Sequence, residues 1–574
     1  MIVEILRQYW NYDSFRPMQE EIIHSVLEGR DTLALLPTGG GKSLCYQVPA
    51  MAKPGLCLVV SPLVALMKDQ VDQLRKKGIT AYSLNAGMSR KDVINTLRVA
   101  SHSNCKFLYV SPERLETAVF MEWLLSLPVN LIAVDEAHCV SQWGYDFRPP
   151  YLRIAALREA LPDIPVLALT ATATPEVLDD ISEKLQLRKP AVFRLPFTRP
   201  NLSYSLFKEE NIVGKIIEIL QKVSGSGIVY CKTRRISREI SDALVRAGIS
   251  AAAYHAGLTR EERSQRQDGW IKDQVRVMVC TNAFGMGIDK PGVRTVIHAG
   301  APESLENYYQ EAGRAGRDGK KAYAVLLCRG QESVTLESMP EARYPGLDKI
   351  RPVYQALMNY LQLPVGSGEG NYFDFELNRF VDMFGGEGSF DMQLALSAIK
   401  ALEQEGMISF QQQVYLPGRV QFVTDKGGLY AFEQDHPEME SLIHALLRNY
   451  EGIFEGAVPV REKQLAWLTR KELKQVVEDL RRLAAFSIID YTVLKDTPQL
   501  YFFRNRVPAE DLYIDPVRYR QRKEQYALRI QSMVRYLDLG SSCRSRYLAR
   551  YFGDLDAKAC GICDNCLRAG KMEA

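Results

Sequence analysis

Short apolar segments alternate with amphipathic stretches over about the first 335 residues. Nearly continuous apolar strands that alternate with helices are typical of parallel sheets covered on both faces. Ten such strands are predicted, at 32–36, 56–60, 107–110, 131–134, 166–169, 227–231, 251–254, 277–280, 295–298 and 324–328. Ten strands are too many for one comfortable open sheet, and two prolines interrupt the pattern between 194 and 204. The pattern therefore predicts an α/β protein with two lobes, each built on a parallel sheet.

The pattern changes after about residue 345. A helix ending at Gly406, a short strand and a further strand at 419–424 predict a winged-helix-like unit over 345–430, in which 419–424 is the returning wing strand. A comparable order of helices and strands predicts a second winged-helix-like unit over 436–508. Generic small α/β packing is the alternative, because short helix-turn-helix patterns are common.

Composition adds a broad class to this picture. The chain has 574 residues, of which 46% are apolar and 25% charged, as in a soluble globular protein of roughly four domains. It has no apolar run of the ~18 residues that a spanning helix needs and no readable signal peptide, so we expect no membrane partner. The net charge is only +3, but residues 516–574 hold 12 Lys and Arg against 6 Asp and Glu. The positive excess is therefore local.

Seven of the eleven cysteines are scattered singly along the chain, most of them in apolar strands. A reduced cysteine in such a strand is a small hydrophobic residue, and unpaired thiols favour a reducing cytoplasm. These seven are Cys45, Cys57, Cys105, Cys139, Cys231, Cys280 and Cys328.

The segment LLPTGGGKSLCYQ (35–47) follows a predicted strand and opens a predicted helix. Its glycines let backbone N–H groups wrap a phosphate, and the helix N-terminus favours an anion. Lys42 would reach the β- and γ-phosphates, and the Ser43 hydroxyl would hold magnesium. Leu36 stands where the strict pattern has glycine, and a glycine turn without function is the alternative. The predicted ATP-binding loop comprises Thr38, Gly39, Gly40, Gly41, Lys42 and Ser43.

Two adjacent carboxylates follow the predicted strand at 131–134. Asp135 would hold magnesium, in the role that the Walker-B aspartate plays in nucleotide hydrolases. Glu136 would activate the attacking water as general base. An acidic pair at a helix N-terminus is the alternative, and the upstream phosphate loop argues against it.

Two arginines, Arg314 and Arg317, lie in the glycine-rich segment YYQEAGRAGRDG (308–319) near the end of the second lobe. An arginine from one lobe that reaches ATP bound on the other is an arginine finger. Solvated helix charges are the alternative, but Gly313 and Gly316 would be unfavourable in a surface helix.

Four further cysteines, Cys543, Cys560, Cys563 and Cys566, crowd the C-terminal segment. Two CxxC steps share Cys563, and four thiolates can close a tetrahedral structural zinc site. A redox role of the CxxC pairs is the alternative.

Taken together, the motifs resemble a superfamily-two nucleic-acid helicase. They stand in the family's order as FRPMQ (15–19), the phosphate loop, SPLVALMKDQ (61–70), DEAH (135–138), ALTATAT (168–174), TNAFGMGIDKP (281–291) and QEAGRAGRDG (310–319). The aromatic-rich loop CVSQWGYDFRPPY (139–151) and RPNL (199–202) resemble the RecQ family of DNA helicases in particular. The CDNC ending of the cysteine cluster resembles the RecQ zinc module.

The resemblance implies a RecA-like ATP-binding lobe over 1–197, a second RecA-like lobe over 198–338, and a basic helix with a four-cysteine zinc module over 515–574. By the same resemblance, Gln19 reads the adenine edge, His138 couples the site to the γ-phosphate, and Arg317 is the finger. The residues that would complete the ATP site are Phe15, Arg16, Gln19, His138, Gln310, Arg314 and Arg317.

The resemblance also implies a path from DNA to the ATP site. Thr170 and Thr172 would relay the nucleotide state, and Trp143, Phe147 and Arg148 would sense DNA, because aromatic faces stack on bases and a cation contacts phosphate. Core packing of the aromatic residues is the alternative.

The sequence departs from the family in two places. Tyr145 stands where the family usually has His, which puts the detail of DNA coupling in doubt. The winged-helix-like region precedes the zinc module instead of following it, so no strand-separating hairpin can be assigned. Tyr415, Phe422, Tyr501 and Phe502 are candidates for that role, with core strand packing as the better interpretation.

The resulting prediction is an ATP-driven DNA helicase that uses ATP, Mg²⁺ and Zn²⁺. The resemblance implies 3′-to-5′ travel on single-stranded DNA and unwinding of duplex or branched DNA in recombination and repair. A nucleoid-associated location and a single-stranded-DNA-binding protein as partner rest on the resemblance alone. Two alternatives stay open: an RNA helicase, and an ATP-switched DNA translocase or clamp that does not separate strands.

Overall fold

The computed structural model describes residues 1–37, 39–62, 64–85, 88, 90–141, 143–144, 147–285, 290–386, 389–411, 418–493 and 497–572. The chain divides into two compact units. Residues 1–356, 387–407 and 507–574 form the first unit, and residues 357–386 and 408–506 form the second. No helix in the described ranges is long and apolar enough to cross a bilayer.

The first lobe is built on a parallel sheet. Its strands are β1 (Thr32–Leu35), β2 (Leu56–Val60), β3 (Ala81–Leu84), β4 (Phe107–Val110), β5 (Val129–Val134), β6 (Val166–Thr170) and β7 (Ala191–Arg194), and its helices are α1 (Ile2–Trp10), α2 (Gln19–Leu27), α3 (Leu44–Ala52), α4 (Val64–Lys76), α5 (Arg90–His102), α6 (Ala118–Leu124), α7 (Ile154–Ala160) and α8 (Pro175–Lys184). The strand order is β3-β4-β2-β5-β6-β1-β7. Leu33 and Leu35 pack into one apolar core and Ala34 into another, so both faces of β1 are covered.

The second lobe repeats this plan. Its strands are β8 (Leu202–Lys208), β9 (Ser226–Tyr230), β10 (Ala251–Tyr254), β11 (Val277–Cys280), β12 (Val293–Ala299) and β13 (Ala322–Cys328), and its helices are α9 (Ile212–Lys222), α10 (Arg234–Arg246), α11 (Arg260–Ile271), α12 (Leu305–Ala312) and α13 (Glu332–Arg343). The strands pair in parallel in the order β10-β11-β9-β12-β13-β8. The prediction of two parallel-sheet lobes is confirmed.

All ten predicted strands are present, with ends shifted by at most two residues. Three further strands, β3, β7 and β8, were not predicted, and each lies at an edge of its sheet. An edge strand can be covered less completely than a central one and so lack a continuous apolar run, as the alternating burial of β7 shows. The search for continuous apolar segments therefore missed β3, β7 and β8. The fourth edge strand, β10, keeps an apolar run and was predicted.

The region after the second lobe contains α14 (Leu347–Tyr360), β14 (Tyr372–Asp374), α15 (Leu377–Phe384), α16 (Met392–Gln404), β15 (Ile408–Gln411), β16 (Arg419–Phe422), α17 (Lys426–Asp435), α18 (Glu440–Asn449), β17 (Val458–Pro459), α19 (Glu462–Thr469), α20 (Leu473–Ala485), β18 (Ile489–Thr492) and β19 (Gln499–Phe502). Its strands form two small antiparallel sheets, in the orders β14-β19-β15 and β17-β16-β18.

The pairing of β16 differs from the prediction for segment 419–424. In the described part of this region, β16 pairs with β17 and β18 and not with β15, whose partner is β19. The reason is burial: Val420 and Phe422 pack into the same core as α18 and α20. The segment from β16 to β18 is therefore inserted between two strands of the sheet β14-β19-β15. Phe422 and Phe502 are each 2% exposed, which confirms core packing for these two, whereas Tyr415 lies outside the described residues.

The C-terminal segment contains α21 (Pro516–Leu537), α22 (Arg544–Tyr551) and α23 (Asp564–Met572). It covers the edge strand β8, where the Leu206 N–H donates to Asp564 Oδ2 at 2.9 Å and the Ser203 hydroxyl donates to the Ile562 carbonyl at 2.7 Å. It also reaches the core of the first lobe, where Phe552 stacks on Phe197 with ring centroids 4.6 Å apart. This segment thus packs against both lobes and protects a sheet edge.

Candidate functional site

Three predicted motifs meet because β5, β6 and β1 are neighbours in one parallel sheet. Their carboxyl ends lead into 135–136, 171–172 and 37–43, and such ends lie together at one edge of the sheet. Val134 aligns with Ala168, and Leu35 aligns with Thr170. The sheet topology, rather than nearness in the chain, assembles this site.

The phosphate loop depends on its glycines. Gly39 and Gly41 have φ angles of 84° and 76°, in the left-handed region that favours glycine. A Cβ at Gly41 would collide with Gln19 Nε2, and a Cβ at Gly40 would lie 2.9 Å from the Pro37 carbonyl. The loop leads into α3, which begins at Leu44 directly after Ser43.

Gln19 and Arg16 hold this loop. Gln19 Nε2 donates to the carbonyls of Gly40 and Gly41 at 3.2 and 3.0 Å, and its Oε1 accepts from the Arg16 N–H at 2.9 Å. Arg16 Nη1 donates to the Gly39 carbonyl. The Gln19 side chain is 1% exposed, so in this arrangement its amide serves the loop rather than an open pocket. Phe15 packs beside the apolar cluster of α1 and α2.

Lys42 and the carboxylate pair lie face to face. Lys42 Nζ is 3.4 Å from Glu136 Oε1, and Glu136 Oε2 is 3.4 Å from His138 Nδ1. His138 Nδ1 is in turn 2.9 Å from Thr170 Oγ1, which also accepts from the Thr172 N–H at 3.4 Å. A continuous polar chain therefore joins the phosphate loop to the end of β6.

The carboxylate pair is held at an energetic cost. Glu136 is not a glycine but has a φ of 47°, which is an uncommon backbone conformation for such a residue. Burial and the adjacent Glu136 carboxylate raise the pKa of Asp135 to about 6, while Lys42 acts in the opposite direction. Shifted acids of this kind are concentrated at functional sites.

The second lobe forms the wall that faces the phosphate loop across a cavity. A cavity of about 350 Å³ opens between Gly39 and Gly40 on one side and Arg317 on the other. A Cβ at Gly39 would lie 3.0 Å from Arg317 Cγ, so glycine is what allows this approach. A glycine loop facing a guanidinium suits the phosphates of a nucleotide. Gln310 and Arg314 are buried on the same segment, and Arg314 Nε has no partner among the described residues.

Two residues that sequence reasoning left without a role fix this arginine segment. Arg199 donates from Nη1 to the Gly313 carbonyl at 2.9 Å and from Nη2 to the Gly316 carbonyl at 2.6 Å. Asn201 Nδ2 donates to the Gly316 carbonyl at 2.8 Å. Both residues belong to the RPNL motif, which resembles the RecQ family but to which the sequence analysis assigns no task.

The predicted DNA-sensing loop packs inward. Phe147 is 5% exposed, with the Arg522 guanidinium 5.9 Å from its ring centroid. Arg529 Nη1 donates to the Trp143 carbonyl at 2.9 Å, and Arg148 Nη1 donates to the Pro62 carbonyl at 3.1 Å. In this conformation Phe147 offers no free face for a base. The predicted residues Thr38 and Tyr145 lie outside the described residues.

The four C-terminal cysteines converge. Their sulfur atoms all lie within 4.8 Å of one another, with Cys543 Sγ 3.5 Å from Cys560 Sγ and 3.9 Å from Cys563 Sγ. Tetrahedral zinc with bonds of about 2.3 Å requires sulfurs about 3.8 Å apart, so the cluster fits the ion. A hydrogen bond from Cys560 lowers the pKa of Cys563 to about 4, which favours a thiolate. Outside the cluster, Arg544 Nε pairs with Asp564 Oδ1 at 2.7 Å.

The comparisons with known families agree with this geometry. Residues 16–181 match the DEAD/DEAH box helicase model, and residues 210–319 match the helicase conserved C-terminal domain. Residues 420–493 match the RecQ helicase winged-helix domain of Bacteroidota, and residues 496–567 match the RecQ zinc-binding domain. The lobes and the site thus define a two-lobed protein of the DEAD/DEAH-box helicase class.

Individual relatives narrow this class. The chain is 45% identical over 331 residues to the ATP-dependent DNA helicase RecQ of Bacillus subtilis (strain 168), covering 57% of this chain and 56% of the relative. It is 45% identical over 326 residues to that of Pasteurella multocida (strain Pm70), covering 57% and 52%. The winged-helix and zinc-binding matches add likeness to RecQ helicases in the C-terminal part of the chain. It spans about half the length of these curated relatives.

Among solved structures, the DUF1998 helicase MrfA bound to DNA has a TM-score of 0.50 at 17% identity, covering 59% of this chain and 52% of that one. At this identity the likeness concerns the fold alone.

Proposed function

We propose that this chain is an ATP-hydrolysing DNA helicase. The observation that carries the proposal is the facing arrangement of Lys42 and Glu136 on the first lobe, with Arg317 of the second lobe against Gly39. Such a cleft can respond to a nucleotide by changing how the lobes meet. Binding and hydrolysis would then drive movement along a strand.

Each residue of the cleft has a proposed task. Lys42 and the loop amides bind the phosphates, Ser43 and Asp135 hold Mg²⁺, and Glu136 accepts the proton of the attacking water. ATP, when bound, supplies the phosphoryl group and its hydrolysis energy. Arg317 offsets negative charge that develops during the reaction.

The proposed coupling runs through the polar chain from Glu136 to Thr172. His138 contacts both Glu136 and Thr170, so a shift of the Glu136 carboxylate alters the contacts at the end of β6. Trp143, Phe147 and Arg148 lie on the segment that follows His138 in the chain. We propose that these three residues contact DNA and that DNA binding changes the ATP site through this segment. Because Phe147 is buried in this structure, DNA binding would have to rearrange that segment.

The decisive experiment is ATP turnover with and without single-stranded DNA. Lys42→Ala and Glu136→Gln should each reduce DNA-stimulated turnover by about 10²- to 10⁴-fold with the fold intact, because each removes a group of the reacting centre. Lys76→Ala, which removes an exposed lysine of α4, is the matched control and should turn over normally. Normal turnover in either site variant would refute the assignment.

DNA is proposed over RNA because the similar relatives are named DNA helicases. Matched DNA and RNA strands in the same ATPase assay separate the two, and greater stimulation by RNA would contradict the proposal.

A forked duplex with a tail on either strand tests strand separation and the proposed 3′-to-5′ direction. ATP turnover without unwinding would favour a translocase or clamp. Adding a single-stranded-DNA-binding protein to this assay tests that proposed partner.

A further inference from the structure

A second, smaller cavity is lined in part by the aromatic-rich loop. It measures about 70 Å³, and its walls come from that loop, the second lobe, α13, α16 and α21. Four cationic side chains line it, namely Arg343, Lys400, Arg522 and Arg529. We call it the arginine pocket. All of these elements belong to one compact unit.

The positive charge of the arginine pocket is only partly balanced. Arg522 pairs with Glu405 at 2.6 Å, and Lys400 lies 3.4 Å from Glu403. Arg343 and Arg529 have no carboxylate within 4.0 Å among the described residues. Among the described residues of the lining, Glu303 is the one carboxylate, and it accepts a hydrogen bond from the Tyr526 hydroxyl at 2.9 Å. Enclosed cations without a counter-charge are costly, and an anion in the pocket would offset that cost.

One side chain of the lining also has a buried donor without a partner among the described residues. The Arg522 side chain is 5% exposed, and its Nε has no hydrogen-bond partner among the described residues. Buried donors are normally satisfied. The other two nitrogens of the guanidinium are used, one by Glu405 and one by the Gln404 carbonyl at 3.2 Å.

The size of the pocket restricts the ligand. At about 70 Å³ the pocket is small, and a tetrahedral phosphate group suits it better than a nucleobase. Arginine guanidinium groups match phosphate geometry better than any other side chain. The ligand class is therefore a phosphate group.

The neighbours of the pocket indicate where that phosphate belongs. Gly144 and Phe147 of the aromatic-rich loop form part of its lining, and Arg529 also donates to the Trp143 carbonyl. We propose that the arginine pocket binds a backbone phosphate of single-stranded DNA and holds the strand beside the aromatic-rich loop. This inference rests on the proposed function, because it assumes that the chain binds DNA.

The test is the salt dependence of DNA affinity in Arg343→Gln. This arginine is half-buried and has no carboxylate partner among the described residues, so its loss should leave the fold and zinc content unchanged. Each phosphate contact on a single strand contributes about 0.7 to the slope of log affinity against log salt. Arg343→Gln should therefore lower that slope by about 0.7 for an oligothymidylate. Arg246→Gln, which removes an exposed arginine of α10, is the matched control.

A second measurement locates the contact on the strand. An oligothymidylate is held in register by a terminal hairpin, and one phosphodiester at a time is replaced by a neutral methylphosphonate. The wild-type protein should lose affinity at one position, and Arg343→Gln should be indifferent there. Equal slopes for the two arginine variants, or the same sensitive position in wild type and Arg343→Gln, would overturn the proposal.

Two further outcomes are separable. If the wild-type protein binds no DNA, the proposed function itself fails. If inorganic phosphate at constant ionic strength competes with DNA in wild type but not in Arg343→Gln, the pocket binds a free anion and the assignment to DNA is wrong. The expected result is that inorganic phosphate has no such effect.

Discussion

The nucleotide cleft and the cysteine cluster are both polar sites, but one is open and the other closed. In the cluster, the N–H groups of Cys560, Cys563 and Cys566 donate to neighbouring cysteine sulfurs at 3.2 to 3.5 Å. In the cleft, Lys42 and Glu136 stand 3.4 Å apart, and a cavity of about 350 Å³ lies between Gly39 and Gly40 of the phosphate loop and Arg317 of the second lobe. A closed site with four sulfur donors stabilises structure, whereas an open site that holds an acid with a raised pKa, Asp135, can perform chemistry.

The largest expected effect tests the closed site. Cys563→Ser should abolish zinc binding and unfold the C-terminal segment, because a structural zinc ion contributes on the order of 10 kcal/mol to such a module. Zinc content and thermal unfolding measure this. Cys328→Ala, which removes a buried cysteine outside the cluster, should retain zinc. A full equivalent of zinc in Cys563→Ser would show that the cluster is not a four-sulfur site.

The next largest effect is expected in the nucleotide cleft, where the substitution removes the arginine that the second lobe contributes. Arg317→Ala should lower kcat by about 10³- to 10⁵-fold, as expected for an arginine finger, while ATP binding persists. A nucleotide-binding assay beside a phosphate-release assay separates the two steps. Arg329→Ala removes an exposed arginine of the same lobe and serves as control. Unchanged kcat in Arg317→Ala would remove the second lobe from the site.

The smallest effect concerns Arg199, which we expect to act through Arg317. Arg199→Ala removes two hydrogen bonds to the carbonyls of Gly313 and Gly316 and should lower kcat by about tenfold. Arg199→Lys should restore part of the loss. In single-turnover measurements, adding Arg199→Ala to Arg317→Ala should cause no further loss, because the two residues act as a unit. Additive losses would give Arg199 an independent task.

Each motif of the nucleotide cleft could be recognised from the sequence, but the contacts between the motifs could not be predicted from it. Lys42 and Glu136 are distant in the chain and meet only because β1 and β5 flank β6. The resemblance implies that Gln19 reads the adenine edge, and in this structure its amide also bonds to two loop carbonyls. A side-chain amide has both donors and an acceptor, so its partner depends on which backbone groups the fold brings near.

The region after the second lobe, from α14 to β19, shows that strand pairing likewise could not be predicted from local pattern. Its helices and strands follow from local periodicity, but β16 and β19 could each complete either small sheet by pattern alone. The burial of Val420 and Phe422 against α18 and α20 decides for β16, and β19 then pairs with β14 and β15.

By itself, the sequence determined the central strands, the phosphate loop, the carboxylate pair and the cysteine cluster, because each depends on a continuous apolar run or on ligands close together in the chain. Only the tertiary structure decided the edge strands β3, β7 and β8, the contact of Arg317 with Gly39, the support of the arginine segment by Arg199, and the burial of Phe147. These depend on contacts between distant segments, whose energies local patterns do not encode.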